Sequence, residues 1–161
     1  MKSLSLIAVL FLLFGATVFA DWPRAEYTEI RAYAYNLDGR SRQHSILVAG
    51  KLHPTVVNPD GVLLTKAQEA KLIAAINGKH PTHPVASCFI PRHAFIFYHH
   101  RKVVASVDIC FECLVSDSTP AGISQPNDLP ALAELCDELK LTKSPGPGFR
   151  KLFENFSKST K

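Results

Sequence analysis

Three of the four cysteines and one well-placed histidine, His93, fall in a single stretch, Cys88 to Cys113, which reads CFIPRHAFIFYHHRKVVASVDICFEC and also holds His99 and His100. Their spacing is C-x4-H, sixteen residues, then C-x-x-C. Three chemistries use such residues. Thiolates and an imidazole nitrogen make a tetrahedral set of the kind zinc takes. In an oxidising compartment the same thiols pair as disulfides, and a C-x-x-C pair can also exchange electrons with other thiols.

The elements around these residues decide whether they meet. Ala94 to Tyr98 and Val103 to Ile109 are β-rich runs, and His99-His100-Arg101-Lys102 suits a four-residue hairpin loop. Pairing Tyr98 with Val103 sets Ile96 against Ala105, Ala94 against Val107 and His93 against Asp108. It also sends Ala94, Ile96, Tyr98, Val103, Ala105, Val107 and Ile109 to one core face. Cys88, His93, Cys110 and Cys113 then gather at the open end. They converge only if both strands break there, at Pro91, which cannot donate to a ladder, and after Cys110. In this register Asp108 is a candidate partner to orient His93, and Arg92 is placed to pair with Glu112 across the hairpin end.

Cys136 belongs elsewhere. Leu129, Leu132, Leu135, Cys136 and Leu139 share an apolar helical stripe, so Cys136 reads as a buried small hydrophobe. That leaves an odd three cysteines in the hairpin. A Cys3His site with zinc as its metal is the preferred reading, with Cys88, His93, Cys110 and Cys113 as ligands. One or two structural disulfides, or a redox pair of Cys110 and Cys113, stay open beside it. The redox pair has the least support, because Leu114-Val115-Ser116-Asp117 after Cys113 is no helix pattern, and a helix N-terminus is what lowers a thiol pKa in such motifs. Of the other histidines, His80 and His83 read as solvated linker residues and His99 and His100 as the exposed hairpin tip. No Ser/His/Asp order, paired-carboxylate signature or phosphate-binding glycine loop is present, so the reading favours a non-enzymatic role.

At Cys88-Phe89-Ile90-Pro91-Arg92-His93-Ala94, Phe97-Tyr98 and Ile109-Cys110-Phe111-Glu112-Cys113 the chain resembles a family of small exported uncharacterised bacterial proteins that carry C-x-x-P-R-H and I-C-F-x-C. The resemblance covers about residues 60 to 140. It implies that the three hairpin cysteines and the histidine go together more than the helix cysteine does, and it brings no activity with it.

Residues 1–20 read as a secretory signal peptide: Lys2, the apolar run Leu4 to Phe14, and small residues before a cleavage point near Ala20. A run of eleven positions, ten of them apolar, is too short to span a bilayer, so the mature chain is expected to carry no transmembrane segment and to be exported, periplasmic or extracellular. Residues 21–143 suit one domain, with a Pro/Gly linker and an amphipathic tail over 144–161 in which Phe149, Leu152, Phe153 and Phe156 form a short helical stripe. A net charge of +4 scattered along the chain gives nucleic-acid binding no support. A protein partner is open.

The other elements complete an α+β expectation. Ala25 to Asn36 alternates, with tyrosines on one side and Ile30, Ala32 and Ala34 on the other. With His44 to Leu52 it is expected to form a first antiparallel hairpin. Around Asn58-Pro59-Asp60-Gly61, Val56-Val57 and Val62-Leu63-Leu64 flank a turn. Thr65 and Gln68 form a capping box, and Asn77-Gly78 a stop, for a helix over Lys66 to Asn77. Asp128 caps a second helix with Pro130 in its first turn. The expected architecture is an antiparallel sheet of two hairpins with two main helices packed on it and a short C-terminal helix.

Overall fold

A computed structural model describes residues 22–82, 87–123 and 125–143. The signal peptide, His83 and the tail over 144–161 lie outside the described residues. The fold is α+β, as its patterning predicts. A five-stranded sheet runs in the order β4-β1-β5-β6-β7, with every pairing antiparallel. In chain order the elements are β1 Glu29–Ala34, β2 Leu47–Val48, β3 Lys51–Leu52, β4 Val62–Leu63, helix α1 Lys66–Asn77, β5 His93–His99, β6 Lys102–Cys110, β7 Val115–Thr119 and helix α2 Leu129–Glu138.

Helix α1 has the bounds its capping signals dictate. The Thr65 hydroxyl accepts from the Gln68 amide at 3.3 Å, and the Gln68 side chain accepts from the Thr65 amide at 2.9 Å. Each bond satisfies a donor that the helix itself leaves open. At the other end Gly78 donates to the Ala74 carbonyl, and His80 closes on that same carbonyl through Nε2 at 3.2 Å. His80 is therefore docked on the helix end, where a solvated linker residue was expected. Asp128 caps α2 by accepting from the Ala131 amide.

The first strand does not pair as expected. β1 lies between β4 and β5, with Arg31 opposite both Leu63 and Ile96. The segment 44–52 instead closes on itself as the small hairpin β2-β3, turning at Ala49-Gly50, both at positive φ. That turn keeps residues 44–52 local, and the apolar β5 takes the place beside β1.

Both faces of the central strands are buried. Ile30, Ala32, Phe95, Phe97, Ala105, Val107 and Ile109 meet Leu72 and Ile76 of α1 and Leu129, Leu132 and Cys136 of α2 in the main core. On the opposite face Tyr33, Tyr35, Ala94 and Ile96 pack under Ile46, Leu47, Leu52 and Val56 of the 36–58 loop. The alternation in β1 therefore separates two cores, where one core face and one tyrosine-rich face were expected.

The central hairpin forms, and Tyr98 pairs with Val103. One step on, the register shifts: Phe97 pairs with Ala105, leaving Val104 as an extra residue, a β-bulge. From there Ile96 faces Ser106, Ala94 faces Asp108 and His93 faces Ile109. A slip of one residue carries Phe95 and Phe97 onto the face of Val107 and Ile109, and Ala94 and Ile96 onto the other. The single core face expected for this hairpin is thereby split between two cores. The loop is also tighter than expected, because His99 pairs with Lys102. Only His100 and Arg101 turn the chain, both at positive φ (47° and 70°), the two-residue geometry that matches strand twist but favours Asn-Gly.

Left-handed backbone costs a residue with a Cβ roughly 1 kcal/mol. The double variant His100→Asn/Arg101→Gly is therefore expected to raise the unfolding free energy by about 1 kcal/mol. Urea titration checks this, and an unchanged or lower midpoint would show that the turn is not strained.

Candidate functional site

The open end of the hairpin is built by two strand breaks, where the sequence requires them. β5 begins at His93, directly after Pro91-Arg92, and β6 ends at Cys110. Phe111 to Leu114 then turns the chain into β7, with Leu114 at φ 55°.

Three of the four expected site residues meet there. Cys110 and Cys113 pair as a disulfide across this turn, with their Cα atoms 5.3 Å apart. The Cys88 sulfur lies 2.8 Å from the Cys113 sulfur. Cys110 and Cys113 are each 1% exposed, whereas Cys88 is at the surface. The Cys113 amide donates to the Cys110 sulfur at 3.2 Å.

His93 does not join them. The bulge places it opposite Ile109, on the helix-covered face, and its ring packs edge-on to Phe111 with centroids 5.6 Å apart. Its Nε2 donates to the Thr142 carbonyl at 3.1 Å. Cys110, next along the strand, points to the opposite side. Asp108 accordingly faces Ala94 rather than His93. Among the described residues no group of three or more His, Cys, Asp or Glu side chains is arranged to hold a metal ion. Cys136 sits in the main core at 2% exposure, and burial pushes its thiol pKa up.

Arg92 holds the site together. Its Nη2 pairs with Glu112 at 2.9 Å across the hairpin end, as expected from their positions. Nη1 donates to the Leu37 carbonyl and, at 3.3 Å, to that of Asn36. The Arg92 backbone bonds Ile109 on one side and Tyr35 on the other. One residue thus ties the cystine turn, β1, β6 and the start of the 36–58 loop.

Two buried polar clusters beneath that loop complete the region. Asp108, 4% exposed, accepts from the Ile46 amide at 2.8 Å and lies 2.7 Å from the Tyr35 hydroxyl. That hydroxyl is also 2.8 Å from the His44 carbonyl, so its one proton faces two acceptors. The hydroxyl donates to the Asp108 carboxylate, with the His44 carbonyl as its second acceptor. Burial raises the Asp108 pKa to about 6, against the pull of hydrogen bonds from Tyr35, Ile46 and Ser45. The signal in the sequence is a lone carboxylate inside the apolar run of β6.

The second cluster is His53. Its Nδ1 accepts from the Thr55 amide at 3.2 Å and its Nε2 lies 3.0 Å from the Ser41 hydroxyl. Nε2 therefore carries the proton, the reverse of what abstraction from Ser41 needs. Burial lowers the His53 pKa, and the pair serves as a clasp for the loop.

Comparison with protein-family models, curated proteins and solved structures finds no match for this chain. The site's chemistry rests on its own geometry.

Asp108 and His93 make opposite contributions to stability in acid. The folded state holds the Asp108 proton up to about pH 6, so its contribution is full below the unfolded value near 4 and is lost as pH rises through 6. Burial lowers His93 to about 4, so its contribution is full above the unfolded value near 6.5 and is lost as pH falls toward 4. Each amounts to roughly 3 kcal/mol at 1.36 kcal/mol per unit. Relative to the parent protein, Asp108→Asn should lose about 3 kcal/mol between pH 6.5 and 4, and His93→Gln a similar amount as pH rises from 4 to 6. Urea midpoints at several pH values check both; curves parallel to the parent's would refute the assignment.

Proposed function

We propose that this chain is an exported, non-enzymatic interaction domain whose central hairpin is stapled by a disulfide. The observation that carries the reading is the pairing of Cys110 with Cys113 across the β6-β7 turn, with Cys88 against the same sulfur. Export, expected from residues 1–20, supplies the oxidising surroundings in which such a bond persists. The cystine locks the turn that presents Glu112 to Arg92, and so fixes the junction of sheet and 36–58 loop. Leu63, half exposed on edge strand β4, and Val57 in the segment before it are the apolar groups a partner would cover.

The zinc reading keeps one supporting observation: the Cys88 and Cys110 sulfurs both lie against that of Cys113. If Cys110 and Cys113 are reduced, Cys88, Cys110 and Cys113 supply three thiolate donors of the type zinc takes. His93 would complete the set only by leaving Thr142 and the face on which it is packed.

Thiol counting decides. Protein from the exported compartment, denatured without reductant, should show two alkylatable cysteines per chain, Cys136 and one of the three hairpin cysteines, and four after reduction. Four thiols without reductant, or zinc retained in native mass spectra, would overturn the staple. Closing a loop of this size constrains the unfolded chain by about 2 kcal/mol, and Cys110→Ser made in a Cys88→Ser background, where no second bridge to Cys113 can form, should lose that much stability in a urea titration.

A further inference from the structure

We propose that the three-sulfur cluster is a disulfide switch, in which the exposed Cys88 exchanges with the Cys110–Cys113 bond and so hides or presents a reactive surface thiol. The inference rests on the cystine reading above and goes beyond it. A plain staple needs two cysteines; here a third sulfur lies 2.8 Å from one of them, at the end of the segment that leads into β5.

The exchange needs no outside oxidant or reductant. Cys88 loses its proton to water and its thiolate attacks the Cys113 sulfur. The Cys88–Cys113 bond forms as the Cys110–Cys113 bond breaks, and the electron pair leaves on the Cys110 sulfur. That sulfur already accepts a hydrogen bond from the Cys113 amide at 3.2 Å, a donor that favours its charged form until it takes up a proton. One disulfide and one thiol are present before and after.

The two bridges differ in what they restrain and in what they expose. Cys110–Cys113 spans three positions and closes one turn. Cys88–Cys113 spans 25 positions and clamps the segment before β5 onto that turn. In the first form the free thiol is Cys88, at the surface; in the second it is Cys110, 1% exposed. In the first form the Cys88 thiolate can attack a disulfide carried by a partner, making a mixed disulfide as the partner's other sulfur leaves as a thiolate; in the second form the free thiol is buried and cannot make that attack.

Peptide mapping of the full-length oxidised protein tests this, after incubation at pH 8, acid quenching and alkylation with N-ethylmaleimide. Both bridges are expected in the parent protein, with the Cys88–Cys113 species lost in Cys88→Ser and alone in Cys110→Ser. Prior alkylation of the native protein should drain the population to Cys110–Cys113 with Cys88 modified. A parent protein carrying Cys110–Cys113 only would overturn the switch and leave the staple standing. Cys88–Cys113 only would overturn the switch and relocate the staple, and no bridge at all would overturn both readings.

Discussion

The extra residue at Val104 decides which side of the sheet each chemically capable residue occupies. Because side chains alternate along a strand, one inserted position exchanges the two faces of everything beyond it. Beyond the bulge, Phe95 and Phe97 enter the helix-covered core while Ala94 and Ile96 turn to the loop-covered one. Asp108 is sent beneath the loop, where Tyr35 and Ile46 receive it, and His93 is sent toward Phe111 and Thr142. Cys88 and Cys113 escape this sorting because they lie beyond the strand ends, where a turn and not the pleat aims them, while Cys110 is the last residue of β6 itself.

What could be read in the sequence follows from how local each signal is. Helix α1 is legible to its end residues, since Thr65, Gln68 and Gly78 act within one turn of the backbone they cap. The breaks at Pro91 and after Cys110 are equally local, and so the meeting of Cys88, Cys110 and Cys113 and the Arg92 to Glu112 pair could be anticipated. The bulge could not. Val103 and Val104 are two similar β-formers, and nothing in their types says which is surplus; the choice is made by twist and by the need to seat Phe95 and Phe97 against the helices. The His100-Arg101 turn was hidden for a related reason, lacking the glycine or asparagine that announces it. The place of β1 between β4 and β5 depends on contacts across some sixty to seventy residues of chain, from the Ala34–His93 pair to the Glu29–Tyr98 pair, which no local pattern encodes.

Placing a histidine by ideal alternation assumes a ladder without insertions, and that assumption failed by one residue. The same slip accounts for the displaced Asp108, so one event explains both departures at the site. The third departure, His80 on the end of α1, has its own cause: an open carbonyl at a helix terminus accepts whatever donor the following segment brings near.

The sheet divides the molecule into unequal halves. On one side two helices with their own internal hydrogen bonds cover the strands; on the other a long loop does so, held by the small β2-β3 hairpin, the His53 clasp, Asp108 and the Arg92 fork. Removing the helices would expose the larger core and unfold the domain. Lifting the loop would bare only the smaller cluster around Tyr33 and Tyr35, while the strands kept their ladder partners. The loop layer is therefore expected to open as a separate unit in native-state hydrogen exchange, with Arg92, which bonds both the loop and Glu112, as its link to the cystine turn.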